Sequence, residues 1–178
     1  MVEFILGGAR SGKSRFAEQR ATQSEQAGSQ VIYVATAAST LPNGEADAEM
    51  LKRILKHQQD RPAHWQTVET PVHLAQTLTA YNHPDSCILV DCLTLWTLNL
   101  LENDCLQTEQ AGLLEILPRF RGTLILVSNE IGLGVVPLGE FTRRFVDELG
   151  RLHQQVAELS DRVTFMAAGL PMTLKAPA

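Results

Sequence analysis

The chain has 178 residues, 15 Lys and Arg against 20 Asp and Glu, a formal net charge of −5 and 44% hydrophobic residues. That is enough chain for one domain with a real core, and its balance is too acidic for a nucleic-acid binder, which carries a net basic face. Three cysteines (Cys87, Cys92 and Cys105) without CxxC spacing give no disulfide framework and no zinc site; they read as buried or half-buried thiols in a reducing cytoplasm.

In chain order, Val2 to Leu6 is a short apolar run ending at Gly7-Gly8 and predicts a first strand. A helix is expected from Lys13 to about Gln26, and the β-branched run Val31 to Ala35 is a second strand. Thr36 to Gly44 contains Pro42, Asn43 and Gly44 and reads as a loop. Ala46 to Gln59 has helical spacing, with Met50, Ile54 and His57 on one face, and Arg61-Pro62 stops it. Trp65 to Val68 suggests a short strand, and Pro71 to Ala80 a helix with Pro near its first turn. Cys87 to Val90 is a buried strand ending at Asp91, followed by apolar helices over Thr94 to Glu102 and Gln107 to Leu117, the latter closed by Pro118. Thr123 to Val127 is a further strand, Leu138 to Leu159 a long amphipathic helix, and Arg162 to Ala167 a last strand before a short tail from Gly169.

Continuous apolar strands alternating with helices predict an α/β fold, a mostly parallel sheet with helices on both faces. No repeat, low-complexity tract or linker divides the chain, so residues 1–178 read as one domain. The opening MVEFILGGARSGKS has no basic n-region and no long apolar h-region, so no secretory signal is expected. No apolar run approaches the roughly 20 residues that span a bilayer, and the expectation is a soluble cytoplasmic protein.

The strongest motif is Gly7-Gly8-Ala9-Arg10-Ser11-Gly12-Lys13-Ser14, which fits G-x-x-x-x-G-K-[ST] at every fixed position between a predicted strand and helix. Glycines let the backbone curl so that several N–H groups face phosphate oxygens, and the helix adds its free N–H groups and positive dipole end. Lys13 places a charge on the β- and γ-phosphates, and Ser14 offers a hydroxyl to Mg²⁺. Asp91, ending the run Ile88-Leu89-Val90, has the Walker B pattern and is the second expected metal ligand; a solvated strand-end aspartate is the plainer alternative.

Three further segments narrow the choice among P-loop proteins. One is Asp47-x-Glu49-Met50-x-x-Arg53-Ile54-x-x-His57-x-x-x-Arg61-Pro62, followed by Trp65 and Glu69. The second is Asp91-Cys92-Leu93-Thr94 with Asn99-Leu100 beyond, and the third is Ser128-Asn129-Glu130-Ile131-Gly132-x-Gly134-Val135-Val136-Pro137. With the P-loop and Arg15, in this order, they closely resemble the bifunctional adenosylcobinamide kinase/adenosylcobinamide-phosphate guanylyltransferase family, from Phe4 to about Gly169.

The resemblance implies a RecA-like P-loop NTPase fold and a homotrimer. It also implies two reactions on a corrinoid partner. ATP or GTP phosphorylates the hydroxyl of the aminopropanol arm of adenosylcobinamide. GTP then gives its GMP unit to a histidine, and the cobinamide phosphate takes that GMP to form adenosylcobinamide-GDP. By the resemblance His57 is the histidine that becomes guanylylated. The nucleotide-contacting positions are Gly7 to Ser14 together with Ala35, Thr36, Ala37, Gln58, Gln59, Asp60, Arg61, Glu69 and Asp91, with Glu69 a candidate acceptor for a guanine edge.

On spacing alone His57 stays open. Arg53 and Arg61 lie four residues to either side and share its face, which suits a phosphate site and equally a solvated helix surface. A neutral imidazole is a competent nucleophile near physiological pH. His64, His73, His83 and His153 carry no comparable motif and read as surface or packing residues. Arg10 and Arg15 suit phosphates or salt bridges equally. The Asn129-Glu130 segment is expected near the site without an individual catalytic role.

Some relatives carry a histidine where this chain has Lys56, or a glutamate where it has Asp91, and the loop Ala38 to Gly44 looks longer here. A simple P-loop kinase, a non-enzymatic nucleotide switch and a motor ATPase are the alternatives. The chain lacks the Asn-Lys-x-Asp segment with which GTP switches read guanine. Arg143 or Arg144 would have to serve as a motor's arginine finger.

Overall fold

The computed structural model describes residues 1–37 and 62–177. The helix expected over Ala46 to Gln59, and with it His57, Gln58, Gln59, Asp60 and Arg61, lies outside the described residues.

Among the described residues seven strands form one sheet: β1 (Val2–Gly7), β2 (Gln30–Ala35), β3 (Gln66–Glu69), β4 (Ser86–Asp91), β5 (Thr123–Asn129), β6 (Arg162–Ala167) and β7 (Leu170–Lys175). Their order is β3-β2-β4-β5-β1-β6-β7. Every pairing is parallel except β6 with β7. Among the described residues the helices are α1 (Lys13–Gln26), α2 (Leu74–Ala80), α3 (Leu93–Glu102), α4 (Leu106–Ile116) and α5 (Glu140–Leu159), with a 3-10 turn at Leu117–Arg119.

The period of two along each strand sorts the core into two layers. Phe4 and Leu6, Ile88 and Val90, and Leu124 and Leu126 point to one face, where Leu74, Trp96, Leu100, Leu113, Leu149, Leu152 and Val156 of the other four helices cover them. Ile5, Leu89, Ile125 and Val127 point to the opposite face, against Ala17 and Ala21 of α1. Two alanines on the inner face of α1 let this helix lie close on the strands.

β1 carries one buried charge among its apolar residues. Glu3 is fully buried, and Arg20 of α1 meets its two carboxylate oxygens at 2.9 and 3.2 Å. The pair compensates the desolvated carboxylate and ties α1 to β1.

Four sequence expectations are corrected. The helix expected from Pro71 starts at Leu74, because side chains of α3 take the carbonyls ahead of it. Trp96 Nε1 donates to Val72 at 2.6 Å, and Asn99 Nδ2 to Pro71 at 2.9 Å. The last long helix starts at Glu140 rather than Leu138, since Arg143 Nη1 donates to the carbonyls of Pro137 and Leu138 and holds that segment outside the helix. The helix expected over Gln107 to Leu117 ends its α-helical part at Ile116, and Pro118, expected to close it, lies inside a 3-10 continuation.

The fourth correction is the tail. Ala168 (φ 51°) and Gly169 (φ 81°) form a tight turn with positive φ at both positions, the geometry that suits a two-residue hairpin, and β7 follows as an antiparallel edge strand. Pro171 is tolerated because the strand lies at the edge.

Candidate functional site

The parallel strands all end at one edge, and the predicted phosphate loop lies there. Gly7 closes β1, residues 8–12 curl, and Gly12 (φ 91°) caps α1 in the left-handed region. The loop closes on itself through Ser11 N–H to the Gly8 carbonyl at 3.3 Å, and Phe16 N–H reaches the Gly12 carbonyl at 3.0 Å. Its glycines answer different demands. A Cβ on Gly7 would lie 2.5 Å from Ser11 Oγ and 2.7 Å from the Met166 carbonyl, so only glycine fits, whereas one on Gly8 would meet nothing within 4 Å.

The sequence did not reveal the support beneath this loop. Gly169, at the tip of the β6–β7 hairpin, donates its N–H to the Ser11 carbonyl at 3.0 Å, and a Cβ on Gly12 would come within 3.3 Å of the Gly169 Cα. Ser11 Oγ is buried without a hydrogen-bond partner among the described residues. Ala9 and Arg10 are exposed at the crest, and among the described residues neither Arg10 nor Arg15 forms an ion pair.

Lys13 is 8% exposed and folds back to donate Nζ to the Gly8 carbonyl at 3.0 Å. Burial lowers its pKa, while the charge of Asp91 raises it. Ser14 follows in the first turn of α1, half-buried.

Asp91 ends β4, half-buried, and its Oδ2 accepts the Tyr33 hydroxyl at 3.2 Å. A hydroxyl and one carboxylate are the hard oxygen donors that Mg²⁺ takes alongside substrate phosphates, so Ser14 and Asp91 fit that ion. Among the described residues no group of three or more His, Cys, Asp or Glu is placed to hold a metal ion.

Ala35 to Ala37 leave β2 beside Asp91, and Thr36 is the keystone of this part. Fully buried, it donates Oγ1 to the Cys92 carbonyl at 2.7 Å and accepts the Cys92 N–H at 2.8 Å. Its own carbonyl accepts Asn99 Nδ2 of α3 at 2.8 Å. Glu69 ends β3, in register with Ala35, and is exposed. Four strand spacings of about 4.8 Å separate it from Gly7, roughly 19 Å along the edge.

Between the P-loop strand and Asp91 lies the end of β5. Asn129 is in register with Gly7, Val127 with Asp91, and Glu130 N–H donates to the Gly7 carbonyl at 3.0 Å. His153 differs from the surface histidines His64, His73 and His83. It is buried at 7% exposure, with Nε2 at 2.8 Å from Ser128 Oγ. No sequence motif marked it. Arg143 is engaged with Pro137 and Leu138, which removes it as a free arginine finger.

The sequence family described as cobinamide kinase / cobinamide phosphate guanyltransferase matches residues 3–174. The chain is 54% identical to the bifunctional adenosylcobalamin biosynthesis protein CobP of Pseudomonas aeruginosa over 178 residues, covering 98% of each. It is 37% identical to the bifunctional adenosylcobalamin biosynthesis protein CobU of Salmonella typhimurium, covering 98% of this chain and 100% of that one. Among solved structures, the flagellar accessory protein FlaH of Methanocaldococcus jannaschii superposes with a TM-score of 0.52 at 14% identity, over 99% of this chain and 78% of its own. That likeness concerns the fold alone, a RecA-like P-loop sheet.

Proposed function

The chain belongs to the cobinamide kinase / cobinamide phosphate guanyltransferase family, and we infer that its single P-loop edge serves both reactions of that bifunctional enzyme. It is a cobinamide kinase and guanylyltransferase of adenosylcobalamin biosynthesis. The observation that carries the shared-site reading is the alignment of Lys13, Ser14, Asp91, Thr36 and Glu69 along the carboxyl edge of one sheet.

In the kinase step the loop N–H groups and Lys13 hold the β- and γ-phosphates of ATP or GTP, and the adenosylcobinamide hydroxyl oxygen bonds to the γ-phosphorus as the bond to the β–γ bridging oxygen breaks. Ser14 and Asp91 would hold Mg²⁺, which would supply positive charge against those phosphate oxygens. In the second reaction an imidazole nitrogen of His57 attacks the α-phosphorus of GTP and pyrophosphate leaves, its charge met by Lys13. A phosphate oxygen of cobinamide phosphate then attacks the same phosphorus, and the imidazole departs to leave adenosylcobinamide-GDP.

Gly7 to Ser14, Ala35 to Ala37, Gln58 to Arg61, Glu69 and Asp91 form the proposed nucleotide-contacting set. Glu69, exposed far along the edge from Gly7, is suited to a guanine edge once the phosphates sit at the P-loop. The same membership supports a homotrimer working in the cytoplasm. Exposed apolar side chains (Leu133, Val135, Val136 and Leu138, and Leu170, Met172 and Leu174 of β7) offer surface for such an assembly. No helix among the described residues is long and apolar enough to cross a membrane.

Labelled nucleotide separates this reading from its rivals. With adenosylcobinamide and Mg²⁺, γ-labelled triphosphate should mark cobinamide phosphate and α-labelled GTP should mark adenosylcobinamide-GDP. Transfer of the γ-label alone would reduce the protein to a simple kinase, and transfer of neither to a nucleotide-binding switch.

A further inference from the structure

We propose that His153 is a positioning residue for group transfer, holding Glu130 and thereby the turn after β5 against the first residue of the P-loop. Two hydrogen bonds fix the turn, and a longer contact faces it toward His153. Glu130 N–H donates to the Gly7 carbonyl at 3.0 Å, Gly132 N–H donates to Glu130 Oε1 at 2.6 Å, and Glu130 Oε2 faces His153 Nδ1 at 3.6 Å. The other side of the imidazole reaches the strand itself, with Nε2 at 2.8 Å from Ser128 Oγ. Nδ1 is buried without a hydrogen-bond partner among the described residues, so one side chain of α5 is bonded to Ser128 and aims its other nitrogen at Glu130, on the far side of Asn129.

A chain of hydrogen bonds leads from Asn129 to the imidazole. Asn129 N–H donates to Thr94 Oγ1 at 2.7 Å, and Thr94 Oγ1 lies 3.0 Å from Ser128 Oγ. If Thr94 donates to Ser128 and Ser128 to Nε2, the ring proton sits on Nδ1 and points at the Glu130 carboxylate. The opposite tautomer would set a lone pair of Nδ1 against carboxylate oxygens, so the first arrangement is favoured. Burial holds the imidazole pKa below its usual value, against the opposing charge of Glu130.

Packing alone does not call for a histidine here. His153 lies one turn from Leu149 on the apolar face of α5, with the Phe4 ring centroid 5.5 Å away. A leucine would fill that place without desolvating a polar ring. Both polar ends of the imidazole meet residues bordering Asn129, the position that lies opposite Gly7.

The test uses the full-length protein and the variants His153→Leu, His153→Gln, Glu130→Gln and the His153→Leu/Glu130→Gln double. Hydrogen exchange reads the turn directly, and kinase kinetics read its consequence. In His153→Leu the amides of Glu130 and Gly132 should exchange faster, while those of Leu124 to Val127 hold. The kinase kcat should fall roughly ten- to a hundredfold, as small misplacements at a site do, with the KM for triphosphate little changed. Glutamine, which can still donate to Glu130, should recover much of kcat, and the double variant should be no worse than the worse single.

A folded His153→Leu with unchanged exchange at Glu130 and Gly132, or with unchanged kcat, overturns the proposal. So does a general rise in exchange that glutamine does not relieve. The kinetic arm rests on the transferase reading above. A wild type that turns over no adenosylcobinamide would sink that reading, and the exchange arm would still decide whether His153 holds the turn.

Discussion

Gly169 donates its backbone N–H to the carbonyl of Ser11 at 3.0 Å, so the tip of the C-terminal hairpin braces the phosphate loop from beneath. Gly169 has φ 81°, a conformation that a β-branched residue adopts only under strain. Gly169→Val should cost about 1–3 kcal/mol in placing this tip. Much of that cost should appear as weaker triphosphate binding, measured by calorimetric titration, with the sheet intact by circular dichroism. Unchanged affinity would show that the brace does not shape the loop.

Lys13 is held where the free protein would rather have no charge. Its pKa is lowered chiefly by burial, so the folded state binds this proton less tightly than the unfolded chain does. The resulting penalty is present at neutral pH and fades as pH rises through the lowered pKa toward the ordinary lysine value. Lys13→Met should therefore leave the nucleotide-free protein as stable as the wild type or more so, while abolishing the rise in melting temperature that GTP gives. A destabilised Lys13→Met at neutral pH would show that attraction to Asp91 outweighs burial.

Asn99 bridges two backbone segments through Nδ2 to the Thr36 and Pro71 carbonyls at 2.8 and 2.9 Å, one residue beyond the bond from Thr70 N–H to the Ala35 carbonyl at 2.8 Å. Asn99→Ala should orphan the buried Thr36 carbonyl, while exposed Pro71 can turn to water, and cost roughly 1–3 kcal/mol in urea unfolding, the range for one unsatisfied buried group. Because Thr36 also anchors the backbone of Cys92 next to Asp91, the KM for triphosphate should rise as well.

The thiols should be quiet. Burial pushes Cys87 and Cys92 up to about 11, and both are buried. Since the thiolate is the nucleophile, iodoacetamide at pH 8 should leave both unmodified in the folded protein and alkylate them only in denaturant, read by peptide mass spectrometry. Half-buried Cys105 is the first to label. Rapid native labelling of Cys92 would mean that the Asp91 strand end opens to solvent.

Much of this was legible in the sequence because the signals are local. The P-loop is a contiguous string whose residues must be neighbours, and α1 begins and ends where its spacing predicted. The strands showed as apolar runs because both faces of a parallel sheet are covered. What escaped depends on residues far apart in the chain. The β7 strand was hidden by Pro171, and the start of α2 was set by Trp96 and Asn99, more than twenty positions away. His153 and Glu130 meet only because α5 crosses the end of β5; nothing near either residue announces the other.

The most direct test of the account is the mass of the intact protein after incubation with GTP and Mg²⁺, for wild type and His57→Ala. The account predicts a GMP-sized gain, labile in acid, on the wild type alone, with the variant still phosphorylating adenosylcobinamide. No gain on either protein, with GTP binding shown separately, would contradict a covalent guanylyl transfer, and a gain on the variant would place the nucleophile elsewhere.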